Sequence, residues 1–465
     1  MNFPRVLLSA FLVCLFSSFV RAADSDIKNV LFLVSDDLKA HVLGCYGDPV
    51  CETPNLDALA ERGMVFERAY CQGTWCLPSR RSFMHSRYEG ERGPTLGKHL
   101  IDNGFYSARV GKIFHMRVPG DIIDGTDGVD IPETWTEKFN CQGQEAHTPG
   151  LYRLLNKNIF TTAPEDRQST RDPHRMFVSV EAEGDGSDQP DYKAAEKTVE
   201  LLRKHGKAEK PFFIACGMVR PHYPSVAPAG MFEDYPFEEM TLPEVPEGDL
   251  DDIPKLGKQG TTSQSTGIDQ YPDNMKRMWA DYYTTVTFMD QQVGKILDEL
   301  EGQGLQENTA VVFTSDHGYH LGEHHFWQKS KFHEDVTRVP LIVAAPGYEA
   351  GRSKSLSELV DIYPTICELV GVEIPESVQG KSLVPVLEDP SASVRDAAYS
   401  LDGKKGSAIR TADWTYMRYR DGSEELYDMV NDPEQFTNLA EEAEFAEKKA
   451  ELANTLDDKD ALAKK

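Results

Sequence analysis

The chain contains five short strand-like segments that are mostly apolar, and in the most apolar of them the apolar residues run continuously instead of alternating with polar ones. They lie within residues 28–38, 105–110, 211–219, 309–315 and 338–343. A continuous apolar run of this length is typical of a strand that is buried on both faces, as in a parallel sheet. The pattern therefore predicts a sheet of buried, largely parallel strands.

Segments with helical periodicity lie between these strands, at residues 94–102, 192–205, 275–302 and 359–370. In residues 275–302, aromatic and aliphatic residues recur at three- and four-residue spacing, which is typical of a helix face packed against a core. Alternating strands and helices predict an α/β fold. We expect a large mixed, mostly parallel sheet sandwiched by helices.

Two regions depart from this pattern. Residues 117–190 are rich in Asp, Gly, Pro and Thr with little periodicity, and they predict a long irregular insertion. Near the C-terminus, residues 407–420 and 425–429 predict short antiparallel strands joined by a turn at Asp421-Gly422. Residues 441–465 are charged and alanine-rich, which predicts a solvated helix or a fraying end.

The first 22 residues have the composition of a signal peptide. Arg5 precedes an apolar run of about 15 residues, and Val20-Arg21-Ala22 offers a small-residue cleavage site. A membrane-spanning helix needs about 20 apolar residues, so this run is short for an anchor. We therefore expect a periplasmic or secreted protein with no membrane span after cleavage, an α/β domain at 23–390 and a C-terminal antiparallel-sheet subdomain and tail at 391–465.

The charge of the chain excludes some classes of binding partner, and its cysteine content bears on possible disulfides. The formal net charge of −27 argues against nucleic acid or an anionic membrane surface as a partner. Of the eight cysteines, Cys14 lies in the predicted signal peptide, so seven remain. An odd number in an oxidising compartment leaves at least one unpaired, and spacing alone does not give the connectivity of any disulfides.

Polar side chains follow four of the predicted strands: Asp36 and Asp37, Lys112 and His115, His222, and Asp316 and His317. Open α/β sheets bind ligands at the carboxyl ends of their strands. Adjacent carboxylates at a partly buried strand end repel each other unless a cation is present, and hard divalent cations prefer oxygen ligands. We therefore predict a divalent metal site at this edge of the sheet.

The segment Cys76-Leu77-Pro78-Ser79-Arg80 lies at the start of a predicted helix. Pro78 suits the first turn of a helix because its missing N–H has no partner there. Cys76 would then lie near the helix N-terminus, where free N–H groups and the positive end of the dipole favour an anion. Arg80 would lie one turn further on, beside Cys76.

The segment His320-Leu321-Gly322-Glu323-His324 also matches the His-x-x-Glu-His pattern of inverzincin metalloproteases. That motif requires an uninterrupted helix to bring both histidines to one metal ion. Gly318 and Gly322 argue against such a helix, so we do not favour a protease.

Six ordered segments resemble the type I sulfatases of the alkaline-phosphatase superfamily, and most of all the iduronate-2-sulfatase branch. They are Val-Ser-Asp-Asp-Leu (34–38), Cys-Leu-Pro-Ser-Arg (76–80), Gly-Lys-Ile-Phe-His (111–115), Arg-Pro-His-Tyr-Pro (220–224), Ser-Asp-His-Gly-Tyr-His-Leu-Gly-Glu-His (315–324) and Arg-Val-Pro-Leu-Ile (338–342). The resemblance implies that a formylglycine-generating enzyme or an anaerobic maturase converts Cys76 to formylglycine. It also implies a Ca²⁺ ion bound by Asp36, Asp37, Asp316, His317 and the residue at position 76.

The remaining roles are likewise implied by the resemblance. Arg80 would hold the formylglycine, and the sulfate and leaving oxygen would be surrounded by Lys112, His115, His222 and Lys329. The hydrated aldehyde would attack sulfur, with His222 as the acid for the leaving alcohol and His115 as the base.

The implied function is a secreted sulfatase that acts on a sulfated sugar or polysaccharide. Two alternatives stay open: a phosphodiesterase or phosphonate monoester hydrolase of the same superfamily, and a non-catalytic sugar-binding relative. The stretch between Arg87 and Pro94 is shorter than in iduronate sulfatase, so the sugar itself is left open.

Overall fold

The computed structural model describes residues 27–168, 171 and 173–465, so the predicted signal peptide lies outside the described residues. In this part of the chain the α-helices are α1 Pro54–Glu61, α2 Cys76–His85, α3 Leu96–Asp102, α4 Gly120–Asp124, α5 Pro190–His205, α6 Lys255–Lys258, α7 Ser263–Thr266, α8 Pro272–Gly302, α9 Glu334–Thr337, α10 Ile362–Leu369, α11 Val384–Glu388 and α12 Ala446–Ala463.

The strands are β1 Asn29–Asp36, β2 Met64–Tyr70, β3 Tyr106–Gly111, β4 Glu137–Phe139, β5 Gly150–Leu154, β6 Ile159–Thr161, β7 Val178–Ala182, β8 Phe212–Pro221, β9 Ser225–Pro228, β10 Thr261–Thr262, β11 Thr309–Ser315, β12 His320–Leu321, β13 Phe326–Gln328, β14 Arg338–Val339, β15 Leu341–Ala344, β16 Gly351–Glu358, β17 Ala398–Asp402, β18 Gly406–Arg410, β19 Trp414–Tyr419 and β20 Glu424–Asp428.

A nine-stranded sheet forms the centre of the molecule. Its strand order is β14-β2-β15-β11-β1-β8-β3-β4, and β16 also pairs with β2. The central strands β11, β1, β8 and β3 are parallel to one another, whereas β15 is antiparallel to β11 and β2. The predicted mixed, mostly parallel sheet is confirmed.

Strand β1 is buried on both faces. Leu31 and Leu33 belong to one core cluster, which includes Val286 and Val293 of α8. Val30, Phe32 and Val34 belong to a second cluster on the other face, together with residues of α2, α3 and α10. Side chains alternate across a strand, so a continuous apolar run supplies both cores at once.

The expectation of an irregular insertion at residues 117–190 is wrong in part. Strands β5, β6 and β7 lie in this region and form a four-stranded sheet with β9. These strands are three to five residues long, and β5 pairs antiparallel with both β6 and β7. Strands this short carry too few residues for a visible alternation, so the sequence pattern does not reveal them.

Strands β17 to β20 form an antiparallel sheet in the C-terminal part of the chain, as predicted. The single strand expected at residues 407–420 is two strands, β18 and β19, with a turn between them. Helix α12 is not a free end, because Leu452 and Leu456 are buried against this sheet's core. The predicted boundary at residue 390 stays a prediction.

The seven cysteines among the described residues are all free thiols, and every one except Cys45 is buried. No helix in the described part of the chain combines the length and apolar character that crossing a membrane requires.

Candidate active site and metal centre

Four adjacent parallel strands bring the predicted site residues to one edge of the sheet. Asp36 is the last residue of β1, and Asp316 directly follows β11. Lys112 directly follows β3, and His222 directly follows β8. Because β11, β1, β8 and β3 are neighbours, their carboxyl ends meet at one place.

Cys76 lies at the centre of this edge. It is the first residue of α2 and is 2% exposed. Its Sγ lies 3.4 Å from Asp36 Oδ1 and 3.3 Å from His317 Nε2. It also lies 3.3 Å from Lys329 Nζ. Segments that are distant in the sequence therefore converge on this cysteine.

The side chains around Cys76 fit a divalent cation. The possible ligand atoms of Asp36, Asp37, Cys76 and His317 all lie within 4.8 Å of one another, and the four residues are buried. Asp37 Oδ2 is buried and has no hydrogen-bond partner. His317 Nδ1 lies 2.9 Å from the Gly318 carbonyl, to which it donates as Nδ1–H, so Nε2 is the nitrogen that would coordinate a cation after losing its proton.

Asp316 lies beside this group and is held by Arg80. Arg80 Nε donates to Asp316 Oδ2 at 2.8 Å, and the same carboxylate oxygen lies 3.6 Å from His317 Nε2. Arg80 is fully buried, and its Nη1 donates to the carbonyls of Lys112 and Ile113. Arg80 therefore joins the ends of β11 and β3 beneath the cysteine.

The two lysines each neutralise one carboxylate. Lys112 Nζ pairs with Asp36 and lies 3.9 Å from Cys76 Sγ. Lys329 follows β13 and its Nζ lies 2.6 Å from Asp37 Oδ1. Both ammonium groups therefore lie on the cysteine side of the carboxylate pair.

Asp37 has an unusual backbone conformation, with a φ of 65°. Aspartate tolerates this left-handed region better than most residues. The Tyr282 hydroxyl of α8 donates to the Asp37 carbonyl at 2.6 Å and accepts from the Lys39 N–H at 3.1 Å. The sequence analysis missed this role, because Tyr282 belongs to the apolar stripe of α8 and its pattern signals only core packing.

The pKa values of the two adjacent carboxyl groups, Asp36 and Asp37, are shifted in opposite directions. Burial raises the pKa of Asp37 to about 7, although the charge of Lys329 opposes this shift. Burial also acts on Asp36, but the charges of Lys112 and Arg80 help to outweigh it, and its pKa lies well below the usual value. Burial makes the ionised form of Asp37 less favourable than that of Asp36. A bound cation would therefore stabilise the ionised form most at Asp37.

The three histidines of the site differ in the direction in which their pKa values are shifted. Burial lowers the pKa of His222 far below 6.5, and Lys329 lowers it further. Burial, followed by the charge of Lys112, lowers the pKa of His115 to about 4. Burial acts in the same direction on His317, but Asp316 and Cys76 outweigh it and raise the pKa to about 9.

The side-chain contacts of His222 and His115 also differ. His222 Nδ1 lies 2.6 Å from the Tyr223 carbonyl, to which it donates, and Nε2 lies 3.8 Å from Asp37 Oδ2. His115 is half-buried beside the Trp75 ring, and its Nδ1 has no hydrogen-bond partner. His222 therefore lies within the site, whereas His115 lies at its side.

The metalloprotease pattern does not form its motif. His320 lies in β12, and His324 has a φ of 51° in a short turn, so the two histidines do not share a helix face. Glu323 forms an ion pair with Lys39 instead of serving a metal-bound water. The structure thus agrees with the argument from Gly318 and Gly322.

Comparison with known families decides the class of this site. The family model described as Sulfatase matches residues 28–372. The chain belongs to the sulfatase family. A second model, described as N-sulphoglucosamine sulphohydrolase, C-terminal, matches residues 322–461 of this sulfatase. The predicted family and enzyme class, a sulfuric ester hydrolase, are confirmed.

Two curated relatives extend along most of this sulfatase. A sulfatase of Formosa agariphila is 29% identical over 452 residues, which cover 91% of this chain and 85% of the relative. Human iduronate 2-sulfatase is 30% identical over 438 residues, which cover 80% of this chain and 74% of the relative.

Solved structures share its fold. The phosphonate monoester hydrolase of Agrobacterium radiobacter has a TM-score of 0.76 at 20% identity, covering 94% of this chain and 96% of its own. A protein solved in complex with its substrate D-glucosamine-2-N,6-O-disulfate has a TM-score of 0.68 at 24% identity, covering 94% and 98%. At these identities the likeness concerns the fold, and the predicted sulfatase-like fold class is confirmed.

Proposed function

We propose that this sulfatase is secreted or periplasmic and hydrolyses sulfate esters of a sulfated sugar or polysaccharide, through a formylglycine made from Cys76 and with one Ca²⁺ ion. The observation that carries the proposal is the ring of possible metal ligands and lysines around Cys76 Sγ. A thiol buried among these groups has no evident structural purpose. A nucleophile at the same position would need the metal ligands to activate it and the lysines to bind the sulfate group.

The divalent cation would be held by Asp36, Asp37, Asp316 and His317 together with the residue at position 76. Three carboxylates make this set rich in oxygen, which suits Ca²⁺. A formylglycine supplies a hydrated aldehyde as the nucleophile, and the bound cation supplies positive charge beside it. The family to which the chain belongs supports both groups.

Lys112 and Lys329 would bind the oxygens of the sulfate group. Their Nζ atoms lie 3.9 and 3.3 Å from Cys76 Sγ, so a sulfate placed against position 76 is within reach of both. Fixed cations in a buried site stabilise the charge that develops on transferred oxygens. Arg80 would position the residue at 76 through its bond to Asp316.

The histidines would move protons. With Nδ1–H donating to the Tyr223 carbonyl, His222 Nε2 is the atom that would carry a proton to the leaving oxygen. An anionic ester in the pocket favours this protonation, because it offsets the charge of Lys329 that depresses the His222 pKa. His115, which is neutral above a pH of about 4, would accept a proton.

The substrate class rests on relatives with sugar substrates. They include iduronate 2-sulfatases and an N-acetylglucosamine-6-O-sulfatase of Bacteroides thetaiotaomicron. We infer a specificity related to that of iduronate 2-sulfatase, with the sugar set by the shorter segment between Arg87 and Pro94. Maturation would require a formylglycine-generating enzyme or an anaerobic maturase.

The decisive experiment compares sulfate release from nitrophenyl sulfate and from sulfated mono- and oligosaccharides with turnover of phosphodiesters. We expect preference for sulfates, loss of turnover in Cys76→Ala without a change in Tm, and formylglycine at position 76 by mass spectrometry. Unmodified cysteine in protein from the native source, with no turnover, would instead favour a non-catalytic sugar-binding relative.

A phosphonate monoester hydrolase is the second candidate. It is supported by the TM-scores of 0.76 and 0.73 to two enzymes of that name. Formylglycine at position 76 does not separate the two functions, because hydrolases of both kinds use it. Faster turnover of phosphonate monoesters or phosphodiesters than of sulfates would decide for this candidate.

A further inference from the structure

The turn that carries His222 connects two sheets. Strand β8 ends at Pro221 in the nine-stranded sheet, and β9 begins at Ser225 in the four-stranded sheet of the insertion. Residues 222–224 lie between them. His222 Nε2 is the atom that we propose to protonate the leaving oxygen, so the way this turn is held decides where that proton is delivered.

The side chain of Arg220 spans this turn. Its Nε donates to the carbonyl of Val226 in β9 at 3.1 Å, and its Nη1 donates to the carbonyl of His222 at 3.3 Å. Arg220 is 1% exposed, so both bonds lie away from solvent. A guanidinium is planar with fixed donor directions, and it therefore holds the two carbonyls in one arrangement relative to each other.

Glu145 holds the guanidinium of Arg220. Glu145 Oε2 accepts from Nη1 and from Nη2 at 3.2 Å each, and Oε1 accepts from Nη2 at 3.3 Å. A carboxylate that accepts from both terminal nitrogens fixes the plane of the guanidinium as well as its position. Glu145 is fully buried, and burial raises its pKa while the charge of Arg220 opposes this shift. Each charge thus makes the burial of the other less costly.

The backbone of Glu145 has a φ of 52°, which lies in the left-handed region. Residues other than glycine, asparagine and aspartate rarely adopt this region, because it costs free energy. Such outliers persist where the surrounding structure requires them, and they are concentrated at functional sites. Glu145 lies in the insertion, 75 residues before Arg220 in the sequence, and its backbone conformation points to a specific task for its carboxylate.

The backbone of Arg220 is held by other groups. Asp191 accepts from the N–H of Val219 at 2.7 Å and from the N–H of Arg220 at 2.9 Å. Ser35 Oγ of β1 donates to the Arg220 carbonyl at 2.8 Å. The end of β8 therefore has its own supports, and what Glu145 adds is the orientation of the guanidinium and, through it, of the turn.

We propose that Glu145 is a positioning residue for the acid of the proposed reaction. Through Arg220 it holds the carbonyl of His222, and with it the imidazole, in the orientation from which Nε2 protonates the leaving oxygen. The inference rests on the proposed function, because it requires the acid role of His222. The competing outcome is that Glu145 only attaches the insertion to the nine-stranded sheet.

The first experiment measures kcat and KM of Glu145→Gln, in the full-length matured enzyme, on a sulfated sugar and on nitrophenyl sulfate. The substitution removes the charge of Glu145 and keeps the shape of its side chain. We expect kcat on the sugar to fall about 10- to 100-fold with little change in KM. On nitrophenyl sulfate we expect a change of less than about 2-fold, because nitrophenolate leaves without a proton. An equal loss on both substrates would overturn the proposal.

Glu181→Gln is the matched control. Glu181 lies in the same insertion, and its Oε1 lies 2.9 Å from Arg153 Nη1, so this variant also removes the charge that faces an arginine. It should keep both rates. A selective loss on the sulfated sugar in Glu181→Gln would assign the effect to the insertion as a whole and would contradict the assignment to Glu145.

The second experiment combines Glu145→Gln with His222→Ala. If Glu145 acts through His222, its substitution has nothing left to disturb once the imidazole is absent. We therefore expect kcat of the double variant on the sulfated sugar to lie within about 2-fold of that of His222→Ala. A further loss as large as that caused by Glu145→Gln in the wild type would contradict an action through His222.

The third experiment does not depend on turnover. In protein labelled with ¹⁵N in its imidazoles, His222 should carry a proton on Nδ1, which donates to the Tyr223 carbonyl at 2.6 Å. The signal of His222 is identified by its absence from His222→Ala. Glu145→Gln should shift or broaden this signal and leave the signal of His317 unchanged.

An unchanged His222 signal would overturn the proposal about Glu145, whereas a wild type that shows the expected signals but releases no sulfate would overturn the proposed function alone. If Glu145→Gln does not fold, Glu145→Asp takes its place, because it keeps the charge and shortens the side chain. The same changes in rate and in the His222 signal are expected for it.

Discussion

The neighbours of each imidazole set its charge in the reaction site. His115 and His222 face Lys112 and Lys329, and burial together with these cations favours their neutral forms. His317 faces Asp316 and the cysteine, which favour the protonated form despite the same burial. A bound divalent ion would take the place of that proton, because its positive charge would stabilise the same ionised carboxylates.

His115 gives a pH-dependent contribution to stability. Its pKa falls from 6.5 to about 4 on folding, so the unfolded chain takes up this proton first as pH falls. The contribution is therefore fully present above pH 6.5 and is lost as pH falls to 4. We expect the Tm of the wild type to drop more than that of His115→Gln between pH 7.5 and pH 5. Equal drops would contradict the shift.

His222 is expected to matter according to the leaving group. A sugar alkoxide needs a proton to leave, whereas nitrophenolate leaves without one. We expect His222→Ala to lower kcat about 10²- to 10⁴-fold on a sulfated sugar and far less on nitrophenyl sulfate. His147→Ala, at an exposed histidine, should change neither rate. Equal losses on both substrates would remove His222 from the acid role.

Helix α8 links the large core to a proposed metal ligand. Its Val286 and Val293 belong to the same core cluster as Leu31 and Leu33 of β1, and the hydroxyl of Tyr282 donates to the carbonyl of Asp37. One element thus buries apolar area and also fixes the backbone of a proposed ligand. The three- and four-residue spacing of apolar residues in α8 predicts the burial of apolar area but not the contact with Asp37.

Tyr282→Phe separates the two tasks of α8, because the ring stays and only the hydroxyl is lost. We expect the affinity for the proposed divalent ion to fall about 10-fold or more, as for other groups that orient ligands. The measurement is activity against free Ca²⁺ concentration. Tyr283→Phe is the control, since Tyr283 donates to Asp48 and not to Asp37. The same loss in both variants would argue against a specific role.

The sequence predicts elements and sites well where one strand supplies both signals. An apolar run followed by Asp36-Asp37, or by Asp316-His317, fixes a buried strand and its functional end together. The short strands β5 to β7 and the role of Tyr282 depend on contacts between distant residues, which no local pattern records.

The net negative charge of the whole molecule repels its proposed anionic substrate. A chain of charge −27 repels a sulfated polymer at long range, whereas Lys112 and Lys329 attract it only near the site. Salt screens the long-range part first, with a Debye length of about 10 Å at 0.1 M.

We therefore expect kcat/KM on a highly sulfated oligosaccharide to rise several-fold between about 0.01 and 0.15 M salt. Nitrophenyl sulfate, with a single charge, should change much less and serves as the reference. Initial rates at low substrate concentration measure the effect. A fall in kcat/KM with salt would mean that the local cations outweigh the overall charge.

The burial of Cys76 sets an order of events for its proposed conversion to formylglycine. In the folded chain this thiol is 2% exposed and begins a helix packed on the sheet, so the active site of another enzyme has no room to close around it. An enzyme that oxidises the thiol must therefore act while this stretch is still extended, before the helix docks. It follows that material refolded from unmodified inclusion bodies should regain its native shape and stay inactive.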